Sequence, residues 1–183
     1  MTAAPTRYSR LMLTFHWVTA ACVLIAYLTS EAETRARTSS QFTHVALGLS
    51  VLALTVSRLI ARYAGGVPPP LESTDKRLTR WAHIGHHGIY FLLLAVPITG
   101  WFTLSRLGLQ LELLGFQLPF ITVPVEGEPG LIAKIHQIGG NLLLVIAGVH
   151  AAIAFWHYCW LRDQTLQRML PLKRGNYRSR SKI

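Results

Sequence analysis

Residues 135–161 read IHQIGGNLLLVIAGVHAAIAFWHYCWL, 27 residues without a single Asp, Glu, Lys or Arg. As a helix rising about 1.5 Å per residue, this run reaches about 40 Å, more than the roughly 30 Å of a hydrocarbon core, so it should tilt or protrude. Three further uncharged runs, 11–30, 38–57 and 81–105, are 20, 20 and 25 residues long, each sufficient to span. The expected fold is all-α: an integral membrane four-helix bundle forming a single membrane domain over 1–183. The first run exceeds a typical signal-peptide core and has no persuasive small-x-small cleavage site, so it is read as a permanent helix.

The net charge of +10 would suggest nucleic acid in a soluble protein, but its placement follows topology instead. Of 18 Lys and Arg, 14 lie before run 1, between runs 2 and 3, or after run 4. The other two loops hold Arg35, Arg37, Arg106 and Lys134 among Glu31, Glu33, Glu112, Glu126 and Glu128. Basic loops are cytoplasmic, so both termini are expected inside. The tail 162–183 reads as an anchor to lipid headgroups, and no nucleic-acid partner is expected. Cys22 and Cys159 stand alone, and no C-x-x-C-H occurs, which excludes covalent c-type haem and a disulfide framework.

Two loops are long. The inner one contains Gly65-Gly66-Val67-Pro68-Pro69-Pro70, which cannot continue a helix. The outer one, 107–130, is apolar but interrupted by Glu112, Gln117, Pro119, Pro124 and Pro129, and is expected to cap the outer helix ends rather than cross. Pro97 predicts a kink in the third helix.

Eight histidines in so apolar a chain require partners, since polar groups at membrane depth are costly. His16 lies in the inner half of the first run and His44 in the outer part of the second, while the fourth carries His136 near its outer end and His150 deeper. Depth pairs His16 with His150 and His44 with His136. The 14 residues from His136 to His150 make about 21 Å of rise and nearly four turns, placing both on one helix face. Two cofactors fit that separation, each ligated by imidazole from facing helices, as bundles build such sites. A flat porphyrin also needs a small residue one turn from each ligand, and the residues four beyond these histidines are Ala20, Gly48, Gly140 and Ala154. Two haem b groups are the cofactors expected, one near each face. The plainer alternative, histidines that only hydrogen-bond across the bundle, stands for any one of them but accounts poorly for four at matched depths. A zinc-transport site would want carboxylates at the midplane, and none of the runs contains one.

Arg58 follows His44 by 14 residues on the same helix face, and with Arg10 is a candidate partner for inner haem propionates. Lys134 and Arg106 are the outer candidates. All four equally suit ordinary interface anchors. His83, His86 and His87, beside Trp81, could contact a quinone or simply be solvated at a helix start. His157 rivals His150 for inner ligation or supplies another quinone contact.

Arg7-Tyr8-Ser9-Arg10 leading to His16-Trp17, His44-x-x-x-Gly48, Ala82-His83-x-Gly85-His86, and His136 through His150-Ala151-Ala152 together resemble bacterial cytochrome b561. The resemblance extends to Asp163-x-Thr165-Leu166-x-Arg168-Met169-x-Pro171 and so covers nearly the whole chain. It implies a multi-pass, dihaem protein of the bacterial inner membrane with His16/His150 and His44/His136 as axial pairs, exchanging electrons with ubiquinone or another quinone. It also implies superoxide oxidation as a candidate reaction, with Lys134, Arg106, Arg35 and Arg37 placed to attract the anion. Other classes remain open: a haem-bearing anchor and electron conduit for a separate dehydrogenase or hydrogenase subunit, or a haem-free structural protein.

Overall fold

The computed structural model describes residues 8–32, 39–65, 76–110, 112–113, 115–127, 130–162 and 165–170. Four long helices dominate: α1 (Arg10–Ala32), α2 (Ser39–Gly65), α3 (Lys76–Arg106) and α4 (Leu131–Trp156). All four are long and apolar enough to cross a membrane. α2 and α3 run well past the uncharged stretches into basic residues at the ends that the charge pattern assigns to the inside, because backbone hydrogen bonding continues where hydrocarbon stops. α3 passes through Pro97 without interruption. Arg35, Arg37, the 66–70 link and the tail from residue 171 lie outside the described residues.

Local chemistry explains the ends. Ser9 caps α1, its hydroxyl accepting the Met12 N–H at 3.2 Å, as N-cap serines do. α4 follows Gly130, whose φ of 75° suits a residue without a Cβ. At its far end α4 loosens into a π turn, His157–Leu161, stopped by Arg162 in the left-handed region. Within the helices several hydroxyls turn back on their own backbone, as with Thr19 to Phe15 O at 2.6 Å and Ser50 to Ala46 O at 2.8 Å. That satisfies polar groups which lipid would leave without partners.

The helices pack in chain order, α1 on α2, α2 on α3 and α3 on α4, with α1 and α4 touching only sparsely. α4 shows why. Ile138, Val145, Val149 and Ile153 form an exposed apolar stripe suited to lipid. Leu143 lies on the opposite side, buried with Val51 of α2 and Leu92 and Leu93 of α3; Cys22 and Val23 of α1 pack against them. Leu143 is seven residues from both His136 and His150, so this apolar core is a midplane layer between the two histidine levels.

The outer loop caps the bundle. Its only regular structure among the described residues is a two-residue antiparallel ladder, Glu112–Leu113 with Phe116–Gln117. The segment after it is tied to α3: Trp101 Nε1 donates to Pro119 O at 3.0 Å, Ile121 N to Ser105 Oγ at 3.2 Å and Val125 N to Arg106 O at 2.9 Å. At the inner end Trp17 Nε1 donates to Met169 O at 2.7 Å, closing the C-terminal segment onto α1.

Leu143→Ala should lower the melting temperature in detergent by several degrees, at about 2–4 °C per kcal/mol for a chain of this size, because packing is what membrane helices lose at such a site. Val145→Ala, on the lipid face, should leave it nearly unchanged. Equal effects would misplace the core.

Candidate functional site

The bundle brings together both pairs of histidines matched by depth. At the outer level the His44 and His136 rings face each other across a centroid distance of 5.9 Å at 90°. The Nδ1 of His44 lies 2.8 Å from Ala26 O of α1, and the Nδ1 of His136 lies 2.9 Å from Val96 O of α3. A carbonyl only accepts, so both rings donate from Nδ1. Each Nε2 then carries a lone pair, the tautomer a metal ligand requires.

A cavity of about 170 Å³ adjoins the pair, lined by both rings with Gly48, Pro97, Gly100, Trp101 and Leu104 among others. A Cβ on Gly48 or Gly140 would meet nothing within 4 Å, so there is open room one turn beyond His44 and His136. The donor set fits a bis-imidazole iron: nitrogen at about 2 Å on each side calls for ring centroids roughly 6 Å apart. The cavity is smaller than the roughly 300–1,000 Å³ of most ligand pockets, so a macrocycle requires lining side chains such as Leu49 and Leu104 to turn aside.

Gly100 is a site residue the sequence reading missed. A Cβ there would lie 2.8 Å from His136 Cε1 and 3.1 Å from its Nδ1, so only glycine lets the ring lie against α3. Gly139 admits Val96 in the same way, with Cγ2 at 3.0 Å from its would-be Cβ. These gaps let α3 and α4 close, as small residues do in membranes. In sequence Gly100 resembles any other glycine of a membrane helix; only the ring opposite distinguishes it.

The inner level gathers more side chains. His16 has Arg58, His150 and His86 as charged or titratable neighbours. His86, expected as a quinone contact or a solvated helix-start residue, packs edge-on against His150 with centroids 5.1 Å apart and donates from Nδ1 to Ala82 O at 2.6 Å. The Arg58 guanidinium lies 5.3 Å from the centre of the Tyr90 ring. Thr55, almost fully buried, and the Tyr90 hydroxyl have no hydrogen-bond partner among the described residues.

The other candidates are more dispersed. His83 and His87 are exposed on α3, with His87 Nδ1 bonded to His83 O, whereas His86 is half-buried. His157 opens the π turn beyond α4. Arg10 and Lys134 are exposed in the first turns of their helices. Arg106 ends α3, its Nε buried and without a hydrogen-bond partner among the described residues.

The profile of the prokaryotic cytochrome b561 family matches residues 7–172. The chain is 30% identical over 173 residues to probable superoxide oxidase CybB of Yersinia pestis, covering 92% of this chain and 98% of that one. It is 29% identical to cytochrome b561 homolog 1 of Escherichia coli K12, over 92% of this chain and 99% of the other. It is also 30% identical to cytochrome b562 of Cereibacter sphaeroides, over 89% and 94%.

Gly100→Ala should displace the His136 ring and reduce the haem retained per purified chain, whereas Gly65→Ala, where a Cβ meets nothing within 4 Å, should leave it unchanged. Equal retention in the two variants would mean that the ring has slack.

Proposed function

Because this chain belongs to the prokaryotic cytochrome b561 family and is a membrane b-type cytochrome of electron transfer, we propose that it holds two haem b groups. His44 and His136 are the outer axial pair, and His16 and His150 the inner. The observation that carries this reading is the facing pair of outer imidazoles, each locked through Nδ1 to a neighbouring helix. Held between such pairs, each haem would supply a one-electron iron couple, with His44 and His136 or His16 and His150 as its protein ligands. Chemistry at an open iron site is therefore not part of the proposal.

The chain lies in the bacterial inner membrane as a single domain with both termini cytoplasmic, the side on which 14 of its 18 basic residues fall. Arg58, with Arg10 nearer the surface, neutralises carboxylates at the inner level. Arg106 and Lys134 do so at the outer one. His83, His87 and His157, at the inner ends of α3 and α4, are the proposed contacts for a quinone headgroup, with His86 between them and the inner ligands.

The name of the Yersinia relative supports superoxide as the electron donor at the outer face. Two superoxide anions then yield two O₂ and two electrons, which with two protons reduce one quinone to quinol. Lys134 and Arg106 favour approach of the anion by their charge, an effect that salt weakens.

Reduced-minus-oxidised spectra of the detergent-purified protein should give two haems per chain, with His16→Ala and His136→Ala each losing a different one. Folded protein without haem would end the reading. Lys134→Ala should slow superoxide-driven haem reduction several-fold at low salt and flatten its salt dependence; an unchanged rate would remove the steering role. Copurification of a soluble redox subunit, together with failure to reduce quinone alone, would favour an anchor and electron conduit instead.

A further inference from the structure

The two carbonyls that hold the outer histidines share a second feature. Ala26 O accepts His44 Nδ1 at 2.8 Å and also the Thr29 hydroxyl at 3.0 Å, which is divided with Ile25 O at 2.9 Å. Val96 O accepts His136 Nδ1 at 2.9 Å and also the Thr99 hydroxyl at 2.8 Å. The same device thus occurs twice: a threonine three residues after a carbonyl shares it with a histidine of the next helix. Thr99 Oγ1 itself comes within 3.5 Å of His136 Nδ1. At the inner level, among the described residues, neither the His16 nor the His150 ring donates to a carbonyl; their ring contacts are Trp17 and His86.

An imidazole whose second nitrogen donates to a carbonyl is a stronger base toward a metal. A stronger axial donor favours the oxidised iron and lowers its potential. A carbonyl has two lone pairs, and one that already accepts a threonine hydroxyl has less electron density to offer the imidazole. The carbonyls therefore pull the outer potential down, and the threonines limit how far.

We propose that Thr29 and Thr99 are positioning residues that set the potential of the outer haem through the Ala26 and Val96 carbonyls and the rings of His44 and His136, leaving it below that of the inner haem. Electrons arriving at the outer face then run downhill to the inner one. The proposal rests on the two-haem reading above.

Redox titration followed by haem absorbance tests it. In the wild type, the couple missing from His136→Ala should be the lower of two. Thr29→Val and Thr99→Val keep the side-chain shape and lose the hydroxyl. Each should move the outer couple down by up to about tenfold in its oxidised-to-reduced ratio, at most about 59 mV for one electron, with the inner couple still. Thr29→Ser and Thr99→Ser should stay at the wild-type value, and the low-spin ferric EPR signal of the outer site should shift only in the valine variants. An outer couple that is unmoved or raised, or that lies above the inner one, overturns the proposal. Two couples without these shifts would remove this proposal alone, whereas a single couple in the wild type would remove the two-haem reading and this with it.

Discussion

An imidazole N–H between apolar helices has no water to turn to, and leaving it without an acceptor would cost on the order of 1–3 kcal/mol. In this bundle the outer rings solve the problem across helices: His44 of α2 reaches Ala26 O on α1, and His136 of α4 reaches Val96 O on α3. That single constraint joins α1 to α2 and α3 to α4 and decides the tautomer of both rings, which lie 5.9 Å apart between centroids. The rest of the outer site follows from it, including Gly100, which must lack a side chain for His136 to lie where Val96 O can be reached.

The midplane works differently. Val51, Leu92, Leu93 and Leu143 interlock with nothing polar to direct them, and in lipid their contribution is packing rather than transfer from water. This layer holds the two histidine levels apart, so that the 14-residue spacing on α4 is kept as a real separation between two sites. Sparse contact between α1 and α4 leaves the inner histidines of those helices at the least closed seam of the bundle, where His86 of α3 and Arg58 of α2 also arrive. One level is therefore pinned by hydrogen bonds and the other is a cluster of side chains, and the two sites need not behave alike.

Both ends are fastened by indole donors. Trp101 holds the outer cap through Pro119 O, and Trp17 holds the C-terminal segment through Met169 O. Tryptophan suits such positions because its ring rests in the apolar interface while its N–H remains available.

The number of helices, their all-α character and the meeting of His44 with His136 at one level were legible in the sequence, because in a membrane an uncharged run must be a helix and its length measures depth. The open room at Gly48 and Gly140, one turn from His44 and His136, was legible for the same reason: helix geometry converts spacing into facing. Helix ends were less so, since α2 and α3 continue into charged residues that a hydrocarbon count excludes. Membership of His86 in the inner cluster, the need for Gly100 and the sharing of Ala26 O and Val96 O were decided by tertiary structure alone. They depend on the rotation of one helix against its neighbour and on backbone atoms, and a backbone carbonyl has no letter in the sequence.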